Sequence, residues 1–109
     1  AVPDDWEQLY LGGQHLQPPV LAGPVLRCRN CNRTHAIVWR LAGARKAYLH
    51  LVDGQHRRKA HVDHWLGELH ESGALRAYAP RNWLCGQAAG ESDIKRSCPR
   101  RPEEWWPWN

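Results

Sequence analysis

Two hydrophobic periods organise this chain. Residues 36–41 and 46–52 are rich in β-branched and aromatic side chains and flank a four-residue loop, Ala42-Gly43-Ala44-Arg45, which predicts a β-hairpin. In that register Trp39 opposes Tyr48 and Val38 opposes Leu49. Ala36, Val38, Ala47, Leu49 and Leu51 then share a core face, while Ile37, Trp39, Tyr48 and His50 share a half-apolar one. Asp53-Gly54 signals a turn, after which residues 55–59 return as a polar third strand. From His61 the period lengthens: Val62, Trp65, Leu66 and Leu69 fall at i, i+3, i+4 and i+7, the stripe of a helix facing a core, and Gly73 suits the position that ends it.

Elsewhere the pattern is weaker. Gly12-Gly13, Pro18-Pro19 and Gly23-Pro24 punctuate residues 1–24, which read as an irregular N-terminal arm with room for one helical turn near Trp6. Residues 25–27 and 75–78 read as short strands. Residues 86–109 are loop-like and end in a Trp-rich tail. The organisation expected is an arm (1–24), a folded domain (25–98) and a tail (99–109). The fold class is α+β: a small antiparallel sheet, one packed helix and irregular terminal arms.

Composition sharpens this picture. The chain has 109 residues and no Phe or Met, so Leu, Val and seven Trp must build a modest core. A chain this short and polar gains from a metal staple, because metal-binding energy counts as folding energy. No stretch approaches the roughly 20 apolar residues of a membrane span. The acidic start, Asp4-Asp5, with no apolar run after it, predicts a cytoplasmic protein. That compartment favours metal over disulfide for the four cysteines; in a secreted fragment, a Cys85–Cys98 disulfide would be the rival.

Those cysteines carry the sharpest chemistry. Cys28 and Cys31 form a Cys-x-x-Cys knuckle, and Cys85 and Cys98 lie far downstream. Four thiolates close the tetrahedron of one structural zinc ion. His35, four residues past Cys31, is an alternative ligand in place of one distal cysteine. Four thiolates would also hold an iron–sulfur cluster, and reduced buried cysteines without metal are the plain alternative. Four ligands leave no open position, which marks the zinc as structural rather than catalytic.

The knuckle followed at once by a hairpin, with a helix and a distant cysteine pair, resembles the zinc-ribbon and treble-clef zinc fingers over residues 25–98. In that group the second pair is usually another Cys-x-x-Cys; here twelve residues separate Cys85 from Cys98. A fainter resemblance links Val62-Asp63-His64, Asn82 and Cys85 to HNH nucleases. It implies His64 as general base and Asn82 as the orienting residue. No Cys-x-x-Cys-His element follows Asn82. His61, His64 and Glu68 share one helix face, which reads more simply as a solvated surface.

Charge points toward a partner. The formal charge is +4 with an isoelectric point near 9.1. A four-thiolate zinc site would lower the charge to about +2, so clustering matters more than the total. Arg45 and Lys46 at the hairpin tip and Arg57, Arg58 and Lys59 before the helix are candidate phosphate contacts, with Trp39 or Tyr48 stacking on bases. Arginines that simply solvate a small domain are the alternative. Trp105, Trp106 and Trp108 are candidate partner anchors, or fold back onto their own domain. The expectation is a non-enzymatic zinc-binding accessory or regulatory protein contacting nucleic acid or a nucleic-acid machine. Its Arg and Ala bias and its size suit a bacteriophage or mobile-element origin. A protein-interaction component docking through its tail, and an HNH-like nuclease, are the alternatives.

Overall fold

The computed structural model describes residues 2–54 and 62–86. Among these the chain runs β1 (Gln8–His15), β2 (Val20–Ala22), β3 (Val25–Arg27), β4 (Cys31–Trp39), α1 (Leu41–Gly54), α2 (Val62–Ser72) and β5 (Ala77–Ala79). The strands form one sheet in the order β2-β3-β5-β1-β4. All neighbours are antiparallel except β1 and β5, which run parallel, so the sheet is mixed rather than purely antiparallel. The fold is α+β. No helix among the described residues is long and apolar enough to cross a membrane.

The N-terminal residues are not an arm. They supply β1, which lies between β4 and β5, and β2, which pairs with β3 as a hairpin through Gly23-Pro24. Gly23 has φ +63°, a backbone setting glycine adopts without a Cβ clash. Gly12-Gly13 is not a turn but the middle of β1, where the register against β4 slips on both sides of Gly12. A Cβ at Gly13 would sit 2.9 Å from Cys31 Sγ, and one at Gly12 would strike the Cys85 carbonyl and the His35 ring. The glycines are there because neighbouring chains pass too close for a side chain.

The expected hairpin is also corrected. Its first strand is real and longer, but residues 46–52 belong to helix α1. The helix buries Gly43, Ala47 and Gly54, while Leu41, Tyr48, Leu49 and Val52 face outward. Its small residues are inside and its large ones outside, so a reading weighted by bulk finds a strand where a helix forms. Ala, Leu, Arg and Lys are good helix formers, and local propensity agrees with the observed state. A Cβ at Gly43 would meet the Glu7 carbonyl, so α1 lies against the start of β1. The polar strand expected at 55–59 lies outside the described residues, as do the segments beyond Gly86.

Helix α2 follows its periodicity. Leu66 and Leu69 are buried, Trp65 is half-buried and Val62 is exposed. Gly73 at φ +78° ends the helix, where its N–H and that of Leu75 take the carbonyls of His70 and Leu69. The core falls into two clusters. One joins Ala47, Leu66, Leu69 and Leu75, with Trp39 packed against it; the other joins Tyr10, Cys28, Cys31, Ala77, Ala79 and Trp83. The second is short of bulky aliphatic side chains and has two thiols at its centre.

Candidate metal centre

Three elements converge on that thiol cluster. Cys28 follows β3, and its N–H donates to the Ala77 carbonyl of β5 at 2.9 Å. Cys31 opens β4 and pairs in register with His15, the last residue of β1. One ligand atom from each of His15, Cys28 and Cys31 lies within 4.8 Å of the others, and all three residues are buried. This group could hold a metal ion.

The donor set fits a tetrahedral ion. Zinc bonds of about 2.0–2.3 Å place ligand atoms roughly 3.6–3.8 Å apart, so closing the group requires shifts of at most about 1 Å. Both ring nitrogens of His15 are buried and have no hydrogen-bond partner among the described residues. The ring is held by stacking on Trp83, with centroids 4.8 Å apart and planes at 22°. Burial drives the His15 pKa down to about 4, which keeps the imidazole neutral and able to donate a lone pair at neutral pH. Burial also pushes the Cys28 thiol well up, reinforced by its hydrogen bond to Cys31 and by the charge there. A thiolate at that depth needs a cation beside it, and a metal ion supplies one.

A second layer surrounds Cys31. Its N–H donates to His70 Nδ1 at 3.1 Å, and its carbonyl accepts from the Tyr10 hydroxyl at 3.3 Å. Gln8 joins the two: its Oε1 lies 2.8 Å from His70 Nε2, and its amide nitrogen donates to Tyr10 Oη at 3.3 Å. Burial, with a smaller contribution from His15, lowers the His70 pKa to about 3, so this ring is neutral as well. Helix α2 reaches the knuckle closely enough that a Cβ at Gly67 would strike the Asn30 amide. Asn30 Nδ2 also donates to Glu71 at 3.2 Å. Comparison with protein-family models, curated proteins and solved structures finds no match to this chain.

The sequence placed Cys28 and Cys31 in this site but not His15. Cys85 is exposed and stands outside the three-residue group, its N–H donating to the Leu11 carbonyl at 3.1 Å; Cys98 lies outside the described residues. His35 is half-buried beside Gly12 and the Cys85 backbone, also outside the group. Burial lowers its pKa, the charge of Arg33 adds to this, and the Cys85 carbonyl partly offsets it. His15 carries no local spacing to either cysteine, and its one sequence signal is the Gly-Gly pair just before it.

The other candidate residues are spread out. Arg45 is exposed on α1, not at a hairpin tip. Lys46 is exposed but paired, its Nζ 2.6 Å from Glu7 and donating to the Ala74 carbonyl at 3.1 Å. Arg57, Arg58 and Lys59 lie outside the described residues, as do Trp105, Trp106 and Trp108. His64 is 46% exposed and 4.0 Å from Asp63, and Asn82 is exposed. Glu68 lies 3.7 Å from His50 of α1, across the two helices.

Proposed function

We propose that this chain is a zinc-stapled, non-enzymatic module that contacts nucleic acid or a nucleic-acid machine. Its zinc is held by His15, Cys28, Cys31 and one further ligand, for which Cys98 is the sequence candidate. The observation that carries this reading is the buried imidazole–dithiol group, with both His15 nitrogens unpartnered among the described residues. Buried ligands favour a structural ion, because a catalytic one needs an open position that substrate can reach. Support for a nucleic-acid partner comes from the basic balance of the chain and from exposed Arg29 at the knuckle and Arg45 on α1.

Metal analysis of the purified protein tests the zinc assignment. One equivalent of zinc is expected, lost in His15→Ala and Cys28→Ser and retained in Cys85→Ser. Full retention in His15→Ala would return the site to a four-cysteine set. For the partner, binding to a short duplex should weaken steeply as salt rises and weaken further in Arg57→Ala/Arg58→Ala. Salt-independent or absent binding removes nucleic acid from the proposal.

A protein-contact reading has its own support. Leu41, Tyr48 and Leu49 are each about two-thirds exposed on α1 and line a shallow depression with Ala44 and Arg45. An apolar helix face of this kind suits an apolar surface on a protein component of such a machine.

A further inference from the structure

We infer that His70 is a positioning residue of the metal centre, closing a buried ring of four hydrogen bonds that fixes the Cys31 backbone and thereby aims its sulfur. The inference rests on the zinc reading above and deepens it. The ring runs Cys31 N–H to His70 Nδ1, His70 Nε2–H to Gln8 Oε1, Gln8 Nε2–H to Tyr10 Oη, and Tyr10 O–H back to the Cys31 carbonyl. Every member is at least 98% buried. Donor and acceptor roles are set by the bonds themselves. Because the Cys31 amide can only donate, Nδ1 must accept, and the proton of the neutral imidazole sits on Nε2.

The arrangement goes beyond ordinary satisfaction of buried polar groups. Both backbone polar groups of one ligand residue are claimed by side chains, from strand β1 and helix α2, that lie far from it in sequence. The His70 ring also stands edge-on to Tyr10, with centroids 5.6 Å apart and planes at 86°, so the two rings pack against each other. Each ligand thus has its own support. Cys28 is tied to β5, His15 is stacked on Trp83, and Cys31 is held by the ring. Opening the ring leaves the Cys31 amide or carbonyl buried without a partner and lets the knuckle rotate away from tetrahedral geometry.

The experiment uses the full chain and titrates zinc and cobalt(II) into wild type, His70→Leu and His70→Asn. Loss of the acceptor in His70→Leu should weaken zinc binding about 10–100-fold and alter the cobalt ligand-field bands. His70→Asn, whose Oδ1 can take the Cys31 N–H in place of Nδ1, should recover affinity to within a few-fold. Nitrogen-15 NMR of the zinc-loaded wild type should show His70 protonated at Nε2. Wild-type affinity and unchanged cobalt bands in His70→Leu overturn the positioning role while leaving the His15–Cys28–Cys31 assignment standing, as does an Nδ1-protonated His70. Failure of the wild type itself to take up either metal removes the zinc reading and this inference together. Should His70→Leu not fold, Tyr10→Phe opens the ring at its other end with the loss of a single oxygen. Weakened binding is expected there too, and wild-type affinity overturns the role.

Discussion

Glu7 shows how much one side chain decides. Its carboxylate takes the Lys46 ammonium from α1 at 2.6 Å and the Arg76 N–H ahead of β5 at 3.0 Å. Its own carbonyl accepts the Arg40 N–H that leads into α1. Burial by itself would raise the carboxyl pKa, but Lys46 and Arg76 more than offset this and hold it below the usual 4.5. A depressed folded value means a stabilising contribution that is present above about pH 4.5 and lost as pH falls through the folded value. Glu7→Gln should therefore cost stability at pH 7 and little at pH 3, read as urea midpoints across that range. A variant whose midpoint runs parallel to wild type at every pH would show that Glu7 contributes no charge-dependent stability. None of this was legible in the sequence, where Glu7 is one acid in an arm and Lys46 a surface base. The candidate metal group shows the same limit. Cys28 and Cys31 announce themselves by spacing, while His15 gains its role from a register that pairs it with Cys31.

At the scale of elements, periodicity worked where bulk and burial agree. In α2 the large apolar residues Leu66 and Leu69 point inward, and the 3.6-residue stripe identifies the helix. In α1 they disagree, because the Glu7 backbone leaves no room for a side chain at Gly43, Ala47 packs among Leu66, Leu69 and Leu75, and Leu49 stays outside. This gives a sharp test. Leu49→Glu should change stability by less than about 0.5 kcal/mol, the ordinary range for an exposed helical position. In the hairpin register Leu49 is a core residue, and the same change would cost several times more. Chemical denaturation separates the two outcomes. If the outer face of α1 engages a protein, this variant also loses that partner while keeping its fold.

Across the whole molecule, the candidate metal group and the contacts around it join separate elements. His15, Cys28 and Cys31 tie the end of β1 to the turn between β3 and β4, while His70 and Asn30 connect that turn to α2. The core cluster of Tyr10, Trp83, two thiols and two alanines, with Ile37 against it, has little aliphatic bulk, so an ion there would add to its stability. Stripping the metal with a strong chelator should lower the thermal midpoint by more than about 10 °C and loosen α2 from the sheet, seen as lost amide protection along residues 62–72. An unchanged melt and unchanged protection would mean that the fold stands without an ion.

The sequence by itself determined the α+β class, the α2 helix with its Gly73 stop, the short strand at 25–27, the cysteine knuckle and a strand at 75–78 that overlaps the observed β5 at 77–79. Each is written in spacing between near neighbours. Tertiary structure alone decided that the first 24 residues supply β1 inside the sheet and β2 at its edge, that α1 is a helix, and that His15 lies beside the knuckle cysteines while His70 takes the Cys31 N–H. Those outcomes depend on which chains approach closely enough to require glycine and on which distant residues share a register. Contacts across 16 to 62 positions of chain leave no local period to read.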